Sequence, residues 1–321
     1  MPDVFIDNLS FSLGDRVYSV EESVSQGRVI SGSTDLIESG FHLHHVASPD
    51  VSSYRLAHQA VRSIAQRLED VGAIVYSTCI PENANLGNAQ DYRETRDVKH
   101  LMSYAASHLQ ADFGLTHAQV FGISQQACTG MIGALRLGQM LINSEPEIEQ
   151  VLCLTSDRFP EGALYEQAYN LISDGAAACT VSRTPGRYRM VAAHAITNGA
   201  MAEASDEEAM GSFFSYSHKV ISIALQKAQL SISDIDWVVA QNTNAKAWQI
   251  LSRLLKLDYN KVFHGTQHDI GHMISGDNIA NLLRLEEEQE VQPGQRILLL
   301  MAGLGLNWQC LILERTGFRT H

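Results

Sequence analysis

The sequence predicts an α/β fold built twice. Three observations carry that expectation: amphipathic helical stretches alternate with short apolar runs, the same order of elements occurs in each half, and each succession closes on two apolar strands. Helices alternating with apolar strands imply largely parallel sheets covered on both faces. A duplication then implies two sheets packed around shared central helices. The plainer alternative is one doubly wound sheet, and the matching order over several elements decides against it.

In the first half, YRLAHQAVRSIAQRLED has apolar residues at helical spacing and leads into the buried-strand run VGAIVYSTC. Then come the helix HLMSYAASHLQADFG, the strand AQVFGIS, a turn through Gln125, Gln126, Ala127 and Cys128, the helix TGMIGALRLGQMLI, and the strands VLCLTSD and GAAACTVSR. The second half answers with KVISIALQKAQLSISDID, WVVAQNTN, AKAWQILSRLLKL, KVFHGT, a polar turn at Gly271 and His272, DNIANLLRLEEE, RILLLMAG and NWQCLILER. The halves divide at residues 1–185 and 186–321. In such sheets, sites lie in loops beyond the carboxyl ends of strands. This directs attention to Cys128, to Gln241 through Asn244, and to Gly271 and His272.

Composition sets limits on function. The chain has 321 residues, 45% hydrophobic and 18% charged, the balance of a globular protein with a large core. No apolar run approaches the roughly 20 residues of a membrane span, and the N-terminus lacks a secretory pattern, so a cytoplasmic protein is expected. A net charge of -13 argues against general nucleic-acid binding. Five cysteines without a C-x-x-C pair argue against a zinc ribbon or redox dithiol and fit free thiols in a reducing compartment. Nothing resembles a G-x-x-x-x-G-K-[ST] phosphate loop, so no nucleotide hydrolysis is expected.

Cys128 is the candidate nucleophile. It follows a strand and opens a helix, where unpaired backbone N–H groups and the helix dipole favour thiolate. Ala127, Thr129 and Gly130 leave room for a substrate. The bland alternative is a small buried hydrophobe. Cys79, Cys153, Cys179 and Cys310 fall within apolar strand runs and read as core.

The stretch VFGISQQACTGMIGALRLGQML resembles the active-cysteine segment of ketoacyl-ACP synthase III enzymes, with its A-C-x-G turn. SDGAAACTVSR resembles their D-G-A-G-A strand, and LLMAGLGLNWQCLIL their C-terminal G-x-G-x-x-W loop. The resemblance runs from about Ser52 onward. It implies the thiolase fold, a duplicated five-layered α-β-α-β-α architecture, and acyl transfer through a cysteine thioester. It also implies coenzyme A or acyl carrier protein as donor partner, a homodimer, and no metal or organic cofactor. The family's R-T-G-I segment has no clean match: Glu38, in Ile37-Glu38-Ser39-Gly40-Phe41, stands where the arginine would. That exchange puts the usual coenzyme A contacts in doubt.

The partners of the cysteine are also exchanged. Gln241 occupies the family's histidine position in Gln241-Asn242-Thr243-Asn244, and His272 occupies the asparagine position after Gly271. Glutamine donates hydrogen bonds but does not titrate. His272 is therefore the obvious general base, with Asp277 to orient it or to cap the following helix. The set resembles a subgroup with a G-H-x-x-x-x-D pattern found in natural-product pathways, several of whose members pass the acyl group to oxygen or nitrogen. By resemblance, the amides of Cys128 and Leu304 form the oxyanion hole. Gln126, Gln241, Asn242, Asn244, Gly303 and Gly305 are candidate substrate contacts. A metal site at His264, His268 and His272, spaced by four, is disfavoured by Gly265 and Gly271 within the run.

Three readings follow. The leading one is an acyltransferase with an acyl-Cys128 intermediate in a polyketide-like or fatty-acid-like pathway. The second is a decarboxylative condensing enzyme acting on malonyl-ACP. The third is a non-catalytic partner subunit of a ketosynthase heterodimer.

Overall fold

The computed structural model describes residues 3–168, 170–304 and 306–318. Ten strands form the central β-structure. In the first half they are β1 (Phe5–Leu13), β2 (Val71–Ser77), β3 (Gln119–Ile123), β4 (Gln150–Asp157) and β5 (Gly175–Ser182). The second half supplies β6 (Tyr188–Thr197), β7 (Trp237–Val239), β8 (Val262–Phe263), β9 (Arg296–Gly303) and β10 (Asn307–Arg315). The spatial order is β3-β2-β4-β5-β1, then β6-β10-β9-β7-β8, so the second half repeats the first strand for strand.

Directions repeat as well. β2 is parallel to β3 and β4, and β7 is parallel to β8 and β9. β5 runs antiparallel to β4 and β1, and β10 antiparallel to β9 and β6. A short antiparallel seam, Phe5 opposite Arg189 and Ile6 opposite Tyr188, joins the two five-stranded units. Each sheet is thus mixed, where the apolar runs alone suggested largely parallel pairing. Strands β1 and β6, absent from the sequence reading, supply that seam.

Six helices cover the sheets: α1 (Ser53–Arg62), α2 (Ala105–Asp112), α3 (Gly130–Ser144), α4 (Asp206–Ala228), α5 (Ala245–Leu255) and α6 (Asp277–Glu288). Strand periodicity shows how the layers stack. Ala73 and Val75 pack into a central cluster with Met131, Ile132 and Leu135 of α3 and Ile279 and Leu282 of α6, while Ile74 and Tyr76 face the α1 and α2 side. Ile297, Leu299 and Met301 join the same central cluster, while Leu298 and Leu300 pack with Trp248 of α5 and Val220 of α4. The outcome is helix, sheet, helix, sheet, helix, with α3 and α6 as the buried middle layer. Burial on both faces explains why these strands read as unbroken apolar runs.

The duplication reaches the turns before the central helices. A 3-10 turn, Ala127–Thr129, precedes α3, and another, Ile274–Gly276, precedes α6. Each opens on a non-glycine residue in the left-handed region, Ala127 at φ 44° and Ile274 at φ 47°. Cys128 and Ser275 are thus counterparts, and the turns touch: Ser275 Oγ donates to the Ala127 carbonyl at 2.9 Å.

The active loop of the second half is stapled to the first. His272 N donates to Leu171 O at 2.8 Å and Ser173 N to His272 O at 2.9 Å. Gly271, at φ 75° and ψ -159°, makes the approach, and a Cβ there would stand 2.9 Å from Leu171 O. Gly271→Ala is therefore expected to destabilise the fold by about 1–3 kcal/mol, read as a lower urea midpoint with an unchanged slope.

Candidate active site

All the candidate groups lie beyond the carboxyl ends of β2, β3, β4, β7, β8 and β9. Cys128 sits in the turn between β3 and α3 and is 6% exposed. Its thiol is pushed well above the ordinary range, first by a side-chain hydrogen bond with Cys79, then by burial, then by the negative charges of Cys79, Asp277 and Asp157. Cys128 rests as a thiol, so a base must take its proton when it attacks.

His272 is the candidate for that role. Its Nδ1 is 2.6 Å from Asp277 Oδ2, and both side chains are buried. The same carboxylate accepts Asn242 N at 2.8 Å and Met273 N at 2.7 Å. An anion accepting from an imidazole N–H at Nδ1 leaves the other ring nitrogen, Nε2, as the lone-pair acceptor. Among the described residues nothing bonds Nε2. Asp277 is the first residue of α6, and Gly276 holds the capping position. The carboxylate thus ties the preceding loop to the imidazole and does not cap the helix forward.

Three proposed substrate contacts are committed elsewhere. Gln241 is latched to one backbone unit: its Nε2 donates to Ala302 O at 3.0 Å and its Oε1 accepts Ala302 N at 2.9 Å. Asn242 is fully buried, donating to Thr266 Oγ1 and Gly271 O and accepting from Asn281 Nδ2. Asn244 caps α5 through Lys246 N and donates to Ser39 Oγ. These bonds hold the site's loops in place: both amide hydrogens of Asn242 are engaged, while Gln241 and Asn244 each donate one. Asn244 also borders a surface cleft of about 370 Å³ with Ser31, Asp35, Glu38 and Lys246, where Glu38 pairs with Lys246 at 3.1 Å.

The glycine-rich loop does reach the cysteine. A Cβ on Gly303 would lie 2.8 Å from Cys128 N, so only glycine lets this backbone pass over that amide. Leu304, next in the turn, is 52% exposed, and Gly305 lies outside the described residues. Gln126 accepts from Gln309 Nε2 at 2.8 Å, and Gln309 Oε1 accepts from Arg136. Gln126 also lines an open pocket of about 360 Å³ with Gly122, Ser124, Gln125, Thr197 and Asn307. The other histidines have other neighbours: the ring of His264 lies near Trp248 and Tyr259, and His268 stacks on His42.

Two residues near the cysteine escaped the sequence reading. Cys79, assigned there to a core strand, lies past the end of β2 and is only partly buried. Asp157, at the end of β4, is fully buried and anchors the Cys79 loop. It accepts Thr78 Oγ1 at 2.6 Å, Cys79 N at 2.9 Å and Ile80 N at 3.1 Å. The Ser-Asp ending of VLCLTSD was the only signal available for it.

Known proteins share this architecture. Residues 123–199 match the family of 3-oxoacyl-(acyl-carrier-protein) synthase III and residues 225–315 its C-terminal region, together about half of the chain. The β-ketoacyl-(acyl-carrier-protein) synthase III of Chlamydia caviae is 23% identical over 309 residues, covering 86% of each chain. The structure of 3-oxoacyl-(acyl carrier protein) synthase III, FabH, from Pseudomonas aeruginosa PAO1 superposes with TM-score 0.83 at 17% identity, over 99% of this chain and 100% of that one. A structure described as ChlB3, an acyltransferase, gives TM-score 0.81 at 20% identity over 98% of both chains. The family matches and the sequence relatives, on this fold, define an acyltransferase-type enzyme of the thiolase superfamily. Within it, the chain belongs to the 3-oxoacyl-(acyl-carrier-protein) synthase III family.

Asp157 generates a pH prediction. Burial raises its carboxyl from 3.8 to about 6, against the hydrogen bonds that lower it. The folded state therefore holds a proton that the unfolded chain has lost between those values. Stability should fall as pH rises from about 4 to about 6, by up to roughly 3 kcal/mol from this group. Denaturation midpoints across that range should flatten in Asp157→Asn.

Proposed function

We propose that the enzyme carries an acyl group as a thioester on Cys128 and passes it to an acceptor hydroxyl or amine. The observation that carries this reading is the buried His272–Asp277 pair, held by three hydrogen bonds to the carboxylate. It supplies a nucleophile's base and that base's orienter.

In the first half-reaction Cys128 attacks the carbonyl of an acyl-CoA or acyl-ACP thioester while His272 Nε2 takes the thiol proton. The tetrahedral oxyanion accepts from the backbone amides of Cys128 and Leu304. The donor thiol then leaves with the proton from His272. In the second, His272 deprotonates the acceptor as it attacks acyl-Cys128, and the Cys128 thiol is restored. Asp277 stays ionised and stabilises the imidazolium. No metal or organic cofactor enters these steps. The acyltransferase description of ChlB3 supports this reaction class.

A decarboxylative condensation is the second reading, favoured by the names of the sequence relatives. Such chemistry needs two donors on the thioester carbonyl of malonyl-ACP. Gln241, which replaces one of them, has both ends on Ala302. Release of labelled carbon dioxide from malonyl-ACP would establish condensation over transfer. A non-catalytic partner subunit, the third reading, is disfavoured by the complete Cys128, His272 and Asp277 set.

A homodimer is part of the proposal. Edge strand β3 has one unpaired side, and Val98, Leu101, Met102 and Tyr104 are 41–55% exposed.

Incubation with acyl-CoA or acyl-ACP should add one acyl mass to the intact protein. Cys128→Ala should show no adduct, and His272→Ala should slow transfer by about 10²–10⁴-fold. Wild-type protein that stays unacylated with both donors would overturn the reading.

A further inference from the structure

The second thiol beside the nucleophile is not used by the proposed mechanism. Three observations put it there. Ser77, at the exit of β2, is packed so tightly on Gly130 that a Cβ on the glycine would meet the Ser77 hydroxyl, so this segment abuts the Cys128 turn. Cys79, two residues on, packs against the central core cluster that contains Cys128. Cys79 is also the first cause of the raised Cys128 thiol, as expected of a close neighbour. Asp157 fixes the position of Cys79 through its backbone N–H. All five cysteines are free in the structure, and of this pair Cys79 is the one partly open to solvent.

We propose that Cys79 and Cys128 are a modification site: a low-molecular-weight disulfide oxidant such as oxidised glutathione converts them to a reversible intramolecular disulfide that removes the nucleophile from acyl transfer. Cys79 thiolate attacks one sulfur of the oxidant, forming a mixed disulfide and releasing one glutathione thiolate. Cys128, its proton taken by a base such as water or buffer, then attacks the Cys79 sulfur, closing the protein disulfide and releasing the second. Two protein thiols lose two electrons, one glutathione disulfide gains them, and two glutathione thiols leave with the two protons. Exposure sets the sequence of events: the oxidant reaches Cys79, and only the protein's own sulfur needs to reach Cys128. Loss of acyl transfer as the consequence rests on the function proposed above, whereas the bond itself does not.

The test is a peptide map of the reduced full-length protein after oxidised glutathione, alkylation and digestion, alongside acyl-adduct formation. The expected map joins the peptides of Cys79 and Cys128 with no glutathione retained. Acyl loading is lost with it and returns with dithiothreitol, while Cys79→Ser keeps loading after the same treatment. Glutathione that stays on Cys79, or a cross-link only between the facing pair Cys153 and Cys179, would overturn the proposal. So would equal loss of loading in Cys79→Ser. The wild-type map decides the bond without a variant. If the Cys79–Cys128 bond forms but reduced protein takes no acyl group, the modification site stands and the acyl-transfer reading falls.

Discussion

The carboxylate of Asp277 is the constraint on which the site depends. A buried anion is costly unless it is hydrogen-bonded and compensated. Here its oxygens meet an imidazole nitrogen and two backbone amides, which come from the loops after β7 and β8. One charge therefore fixes the imidazole, the loop that carries it and the neighbouring Asn242. Asn242 in turn bonds the Gly271 carbonyl, just ahead of the imidazole.

Duplication supplies the rest of the geometry. Each half presents a strand, a strained turn and a central helix, and the two turns meet. The first half uses its turn to carry a thiol. The second places a serine at the equivalent point and spends it on the Ala127 carbonyl, bracing the strained residue before the thiol. Strain at one turn is held in place by its counterpart, as expected where surrounding structure over-determines an unfavourable dihedral.

Much of this was legible in the sequence. Repeated element order gave the two units, and local patterns placed Cys128 in the turn before a helix and His272 beside Asp277, as the structure has them. Strands β1 and β6 were not found because register shifts, between Asp7 and Ser10 and between Met190 and Ala192, break their alternation. The apolar run through Cys79 hid the end of β2 at Ser77. Gln241 and Asn242 looked available because their partners are remote: Ala302 lies 61 residues from Gln241, and Asn281 lies 39 from Asn242. Such pairings are tertiary facts that no local pattern encodes.

The latch between Gln241 and Ala302 has an engineering consequence. Restoring histidine at that position would exchange a planar amide, matched to one peptide unit at both ends, for a ring that cannot present a donor and an acceptor side by side. The strand leading to Gly303 would lose its tether as the new imidazole arrived. Installing an imidazole at this position is therefore a problem of re-anchoring a backbone, with at least one compensating change needed near Ala302.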